Sequence, residues 1–274
     1  MCRFYAHHAN RPTPAAGQLL HCETSLRAQS RRDLRGESHV DGWGIGYYDG
    51  DLPRVVRRAA SAADCNEYRA AAEAISAATF MAHVRQASVG ELSTANTHPF
   101  AYGRWLFAHN GTVTGFDRVG PRLRSEASPD LLAAIEGTTD SELVFYWLLS
   151  RLRSSHGDLA EPCRDLTALR QLVAESIVQL AAASAAAGGD EPARLNFLLS
   201  DGRFLLASCF GHSLHWINHA GPQASVQPND ATPGGEYRAA FVASEPVTLE
   251  AWQEIPDRSI LVVDSDIQAN VYRY

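Results

Sequence analysis

The sequence predicts an α+β fold in which two packed sheets are covered by helices within one domain, residues 1–274. Three observations lead there. The 274 residues are 45% hydrophobic and 20% charged, the balance of an ordinary globular chain long enough to bury a sizeable core. Short strand-like runs fill the first and last thirds, while helical patterns fill the middle. No internal repeat and no linker interrupts them.

The elements follow in order. "CRFYAHH" (2–8) reads as a strand, and "GQLLHCETSLRAQS" (17–30) has helical spacing of Leu19, Leu20 and Leu26. "GWGIGYYDGDLPRVVRRA" (42–59) is two strands around a turn at Asp49-Gly50-Asp51. The Ala-rich "CNEYRAAAEAIS" (65–76) is helical; "TFMAHVRQAS" (79–88) and "RWLFAHNG" (104–111) are strands that each end in polar groups. "TTDSELVFYWLLSRL" (138–152) carries a capping box, Thr139 with Glu142 three residues on. A longer helix spans 166–187 and runs into the loop "GGDEP". "RLNFLLSDGRFLLASCF" (194–210) is a hairpin turned at Asp201-Gly202, followed by strands in "SLHWIN", "RAAFVAS" and "SILVVD". The polar stretch 221–236 is a second loop.

Composition excludes several functions. Net charge is −7 and the Lys/Arg residues are scattered, which argues against nucleic acid as a partner. No apolar run reaches the length of a membrane span. Arg3, His7, His8 and Pro12 occupy the place of a signal peptide's apolar region, so a cytoplasmic location is expected. The five cysteines (2, 22, 65, 163, 209) form no CxxC pair and are odd in number, against both a disulfide framework and structural zinc. His21-Cys22 and His39-x-Asp41 match no metal-ligand spacing. No metal and no cofactor is expected.

Chemistry enters at the second residue. Loss of Met1 would leave Cys2 with a thiol and a free α-amine a few bonds apart. Their ordinary pKa values, ~8.5 and ~7.7–8.0, are close enough for the amine to take the thiol's proton. Position 2 is equally a place for a small apolar residue. In "AHNG", Asn110 and Gly111 suit two donors aimed at one oxyanion, and equally a hairpin turn. Arg85, ending an apolar strand, offers a fork for a carboxylate or caps a sheet. His98, before Pro99, lines a pocket or packs in the core. Asp140 holds an α-ammonium group or complements a helix N-terminus. Gly42, Gly44 and Gly46 precede no helix in a GxGxxG pattern and point instead to close backbone approach.

Taken in order, Cys2, "HVRQAS", "NTHPF", "FAHNGTV" and "EGTTDSEL" resemble the class II glutamine amidotransferases among the N-terminal nucleophile hydrolases, most of all the stand-alone YafJ-like branch. "VASEP" and "WQEIPDRSILVV" extend the likeness toward the end. The resemblance implies a four-layer α/β/β/α sandwich, two antiparallel sheets between helical layers. It implies that Cys2 is the nucleophile, Asn110 and Gly111 the oxyanion pair, Arg85 the grip on a glutamine α-carboxylate, Asp140 the partner of the α-ammonium, and His98 a residue beside the pocket. Many relatives carry an aromatic and a threonine where this chain has Gln86 and Ser88. The substrate implied is a small molecule, glutamine or a γ-glutamyl amide. Three roles remain open: a glutaminase-type subunit serving a separate synthase, a hydrolase of a larger γ-glutamyl amide, or a non-enzymatic glutamine-binding module. The related hydrolase of ergothioneine biosynthesis, an instance of the second role, shares the "MCR" start and the "PDRS" style of tail.

Overall fold

The computed structural model describes residues 2–188, 191–220 and 236–274. The first sheet contains β1 (Arg3–Pro14), β2 (Gly42–Asp49), β3 (Leu52–Arg58), β4 (Ser76–Arg85), β9 (His215–Ala220), β10 (Arg238–Ala243) and β11 (Gln253–Glu254), in the order β11-β9-β10-β1-β4-β2-β3. The second contains β5 (Phe100–Tyr102), β6 (Trp105–Thr112), β7 (Arg194–Ser200), β8 (Leu205–Cys209), β12 (Ser259–Val263) and β13 (Ala269–Arg273), in the order β13-β12-β8-β7-β6-β5. Every recorded pairing is antiparallel.

Alternation along the strands produces the layers. On β1, Phe4 and Ala6 join Met81, Leu106, Ala108, Leu198 and Val242 in an apolar layer between the sheets. The intervening Tyr5 faces the other way, into a cluster with Trp43, Phe80 and Phe241 that is covered by α1 (Leu26–Arg31) and α2 (Asn66–Ala74). The far face of the second sheet, including Phe107 and Phe197, packs under α3 (Phe116–Glu126), α5 (Asp140–His156) and α6 (Leu166–Ala186). The result is helices, sheet, sheet, helices, the arrangement the resemblance implies.

Several local expectations change. The 17–30 helix divides into a π-helical turn, Gly17–His21, and α1: Cys22 is extended, and Ser25 restarts the helix by accepting from Ala28 N. Asn110-Gly111 makes no hairpin turn. It runs inside β6, opposite Asn196 and Leu195. The capping box is half formed: Thr139 Oγ1 accepts from Glu142 N at 3.2 Å, whereas the Glu142 carboxylate accepts from Glu136 N and Gly137 N at 3.0 and 2.7 Å and ties down the loop before the helix. Gly42, Gly44 and Gly46 do meet a close neighbour. A Cβ on Gly44 would collide with the His98 carbonyl oxygen, and one on Gly46 would lie 2.8 Å from Pro99. Helix α3, the short α4 (Pro129–Leu132) and β5, β11 and β13 add to the elements read from sequence. The expected loop 221–236 falls, except for its last residue, outside the described residues, as does part of "GGDEP".

Candidate active site

Three strands carry reactive groups to one end of the inter-sheet layer. On β1/β4, Arg3 faces Val84, so one further step places Cys2 opposite Arg85. The two-residue period that sends Phe4 and Ala6 inward applies to Cys2, and the period of Met81 applies to Arg85. On β6 the inward series Leu106 and Ala108 continues to Asn110. Residues far apart in sequence thereby share one site.

Cys2 Sγ accepts from Gln86 N at 3.3 Å and lies 3.4 Å from Gln86 O, to which the thiol donates. The Gln86 side chain instead donates to Glu37 at 3.2 Å. The Gln86 backbone, not its side chain, therefore touches the sulfur. Burial pushes the Cys2 thiol up; the Gln86 N–H and the Arg85 charge oppose that without cancelling it. The resting sulfur is thus held as a thiol near neutrality and needs a base to become a nucleophile.

Arg85 is buried, and its fork donates to Val89 O at 2.8 Å, Glu91 O at 3.1 Å and Gly90 O at 3.4 Å. It thereby shapes the loop after β4. Burial lowers its pKa, while the charges of Cys2, Asp41 and Asp140 oppose this. Asp140 lies at the start of α5. Its carboxylate accepts from Val113 N at 2.7 Å and Ser141 N at 2.8 Å, fastening the chain just beyond Gly111 to the helix.

Asn110 Nδ2 donates to Ser244 Oγ at 3.1 Å, and the same hydroxyl accepts from Phe4 N at 3.0 Å. Asn110 is therefore two hydrogen bonds from the backbone of β1, two residues past Cys2. Its Oδ1 is buried with no partner among the described residues. At Gly111 any Cβ would collide with the Arg194 carbonyl oxygen, so only glycine fits the ladder there. Ser88 Oγ lies 3.4 Å from Thr112 Oγ1 and links the loop after β4 to the end of β6.

His98 stands apart. Its ring packs on His83 and Phe100, at 4.3 and 4.6 Å between centroids, and burial drives its pKa well down. Among the described residues it makes no side-chain hydrogen bond, and hence none to the other expected site residues.

A buried charge cluster that sequence reading passed over holds the nucleophile's backbone. Arg3 Nη1 donates to Cys2 O at 2.9 Å. The same guanidinium pairs with Glu245 Oε1, at 3.0 Å from Nε and 2.8 Å from Nη2, and with Asp33 Oδ2. Asp33 also bonds His39 Nε2 at 3.0 Å. Its carboxyl is raised by burial but held below the usual range overall by the Glu37 N–H, the Arg3 charge and His39. The available signals were the arginine following Cys2 and the Ser244-Glu245 pair in "VASEP". His39 and Asp41 take separate partners, Asp41 accepting from Ala87 N at 2.7 Å. Among the described residues no group of three or more His, Cys, Asp or Glu is placed to hold a metal, and no helix is long and apolar enough to cross a membrane.

Comparison with known proteins gives the family. The family described as "Glutamine amidotransferases class-II" matches residues 1–270. The putative glutamine amidotransferase YafJ of Escherichia coli is 29% identical, over 79% of this chain and 82% of its own. The γ-glutamyl-hercynylcysteine sulfoxide hydrolase of Mycobacterium tuberculosis is 31% identical, over 87% of this chain and 82% of its own. A solved glutamine aminotransferase class-II domain protein from Silicibacter pomeroyi superposes with a TM-score of 0.68 at 21% identity, covering 100% of this chain and 99% of that one.

Proposed function

The chain belongs to the class-II glutamine amidotransferases, an enzyme family of hydrolases and amidotransferases, and on that premise we propose that residues 1–274 act as one unit that hydrolyses a γ-glutamyl amide through a thioester on Cys2. The observation that carries this reading is the convergence of Cys2, Arg85 and Asn110 at one end of the inter-sheet layer, with Asp140 fastening the chain just beyond Gly111.

Removal of Met1 frees the α-amine of Cys2. That amine takes the thiol proton, directly or through a water, and becomes an ammonium. The thiolate attacks the γ-carbonyl carbon, a C–S bond forms, and the carbonyl oxygen becomes an oxyanion. Asn110 Nδ2 and the Gly111 N–H stabilise it; one such donor contributes about 2.7–4 kcal/mol. A half-turn of the Asn110 amide lets Ser244 Oγ–H donate to Oδ1 and releases both N–H groups of Nδ2, which satisfies the orphaned oxygen as well. The C–N bond then breaks and the departing ammonia or amine takes the ammonium's proton. Water, deprotonated by the same amine, attacks the thioester; the C–S bond breaks, glutamate leaves and the thiol is restored.

Arg85 grips the α-carboxylate of the glutamyl group, Asp140 its α-ammonium, and His98 supports the pocket through its packing on His83. The test is glutamate release from glutamine by the processed protein and by Cys2→Ala. The wild type is expected to release glutamate, and the variant to fold normally without turnover. Unchanged turnover by the variant would overturn the assignment.

A further inference from the structure

The register of β6 on β7 sets the direction of the Gly111 N–H. Gly111 faces Leu195. Both backbone polar groups of Leu195 are engaged on the β8 side, its N–H with Phe210 O at 2.9 Å and its carbonyl with Ser208 Oγ at 3.0 Å. Residues opposed in this way in an antiparallel pair turn their N–H groups away from each other. The Gly111 N–H therefore points away from β7, along an edge that β5 does not reach, since β5 pairs only with Trp105, Leu106 and Phe107. A peptide without a ladder partner has nothing in the sheet to fix its plane. A donor to an oxyanion must nevertheless be aimed before the charge develops.

The side chain of His109 supplies the missing constraint. Two residues before Gly111, it shares that residue's face of β6 and packs against Phe197 under the helices, at 5.0 Å between ring centroids. Asn110, between them, faces the other way, so His109 does not reach the inter-sheet layer. Its Nε2 lies 2.9 Å from Arg194 O and its Nδ1 2.9 Å from Ser141 Oγ. A carbonyl only accepts, so Nε2 carries the proton. Burial lowers the ring's pKa and keeps it neutral, which makes Nδ1 an acceptor. The Ser141 hydroxyl therefore donates to Nδ1, while Asp140 Oδ1, 3.2 Å from that hydroxyl, accepts from Ser141 N at 2.8 Å.

The His109–Arg194 bond crosses directly over Gly111. A Cβ at position 111 would collide with both the Arg194 carbonyl oxygen and His109 Nε2, so the glycine is what allows the bond to form. On the other side of Gly111, Val113 N donates to Asp140 Oδ2 at 2.7 Å. Asp140 and Ser141 are the first two residues of α5. The start of that helix thus holds the chain two residues before Gly111 and two residues after it. An apolar ring would fill the same space beside Phe197; two directed bonds add orientation.

We infer that His109, set by Ser141, is a positioning residue that aims the Gly111 N–H at the oxyanion. The inference rests on the proposed catalytic reading and adds to it a residue that touches neither substrate nor nucleophile.

Two amides of different reach test it. In His109→Gln the side-chain NH₂ falls near the place of Nε2 and keeps the bond to Arg194 O. In His109→Asn it falls near Nδ1 and loses that bond. For each variant kcat and KM are measured with glutamine, together with the thermal midpoint and the rate at which iodoacetamide alkylates Cys2. Alkylation displaces iodide and forms no oxyanion, so it reads the thiol and its access alone. His109→Asn is expected to lower kcat by about tenfold to a hundredfold, below the full loss of one oxyanion donor, with KM and the alkylation rate within about twofold of wild type. His109→Gln is expected to keep kcat within about threefold. Unchanged kcat in His109→Asn, an equal fall in kcat and alkylation, His109→Gln as impaired as His109→Asn, or failure of both to fold would overturn the positioning role and leave the thioester reading standing. A wild type that releases glutamate without acylating Cys2, or releases none, would overturn both.

Discussion

Replacing Arg3 by methionine tests the foundation of the site. The side chain keeps similar bulk but loses its charge and its hydrogen bonds to Glu245, Asp33 and Cys2 O. Two carboxylates are then left in a region where Asp33 is fully buried and Glu245 nearly so. Breaking a buried pair from one side costs about 3–5 kcal/mol. The lower end is expected, because Asp33 keeps donors in Arg35 N, Glu37 N and His39, and Glu245 Oε2 keeps Leu34 N at 3.1 Å. About 3 kcal/mol is a large share of an ordinary stability of about 5–15 kcal/mol. Urea unfolding reads it as a lowered midpoint at constant m-value. Glu245→Gln in the Arg3→Met background should recover part of the loss, since it removes the carboxylate with fewer remaining donors. The sign with pH is also fixed. Arg3 is one of the influences holding the Asp33 carboxyl down, and the contribution of a depressed carboxyl is present above its unfolded value and lost as pH falls. The variant's deficit relative to wild type should therefore be largest at neutral pH and narrow toward the carboxylate range. A loss below about 1 kcal/mol, or a Glu245→Gln effect that simply adds, would refute the buried-charge account.

Three further outcomes follow from the same geometry. Arg85→Lys should raise KM for glutamine about tenfold or more, because one ammonium cannot both hold the loop carbonyls and grip a carboxylate; an unchanged KM would remove Arg85 from substrate binding. Gly44→Ala should destabilise by about 1–3 kcal/mol through collision with the His98 carbonyl, and a thermal midpoint equal to wild type would contradict that packing. Burial lowers His7 and His83 to about 3 and His8 to about 4, so each ring is neutral in the folded protein while it protonates near ~6.5 in the unfolded chain. Stability carried by groups lowered in this way is present above that unfolded value and lost as pH falls, by about 2 kcal/mol per withheld ring at about pH 5. Urea midpoints that stay level between about pH 7 and about pH 5 would refute it.

The ordered motifs grouped the candidate site residues, and periodicity located the strands at whose ends they lie. The alternation that buries Phe4 and Met81 also turns Cys2 and Arg85 inward. It failed where local signals conflicted. Asn-Gly favours a turn, but Asn110 and Gly111 are held in β6 by pairing with β7, a partner more than 80 residues away. Helix α3 was hidden by Gly115, Gly120 and Pro121, and forms because Val119 and Leu123 bury against α5 and α6. The charge cluster around Arg3 was illegible for a different reason: its partners lie 30 and 242 residues away, and no local pattern marks an ion pair assembled by tertiary contact.

The most direct measurement is the intact and peptide mass of the protein, acid-quenched during turnover of glutamine. The account predicts an N-terminal peptide that begins at Cys2 and carries one γ-glutamyl group on its sulfur, absent from Cys2→Ala. An active protein that retains Met1, or a γ-glutamyl group found on another residue, would contradict it.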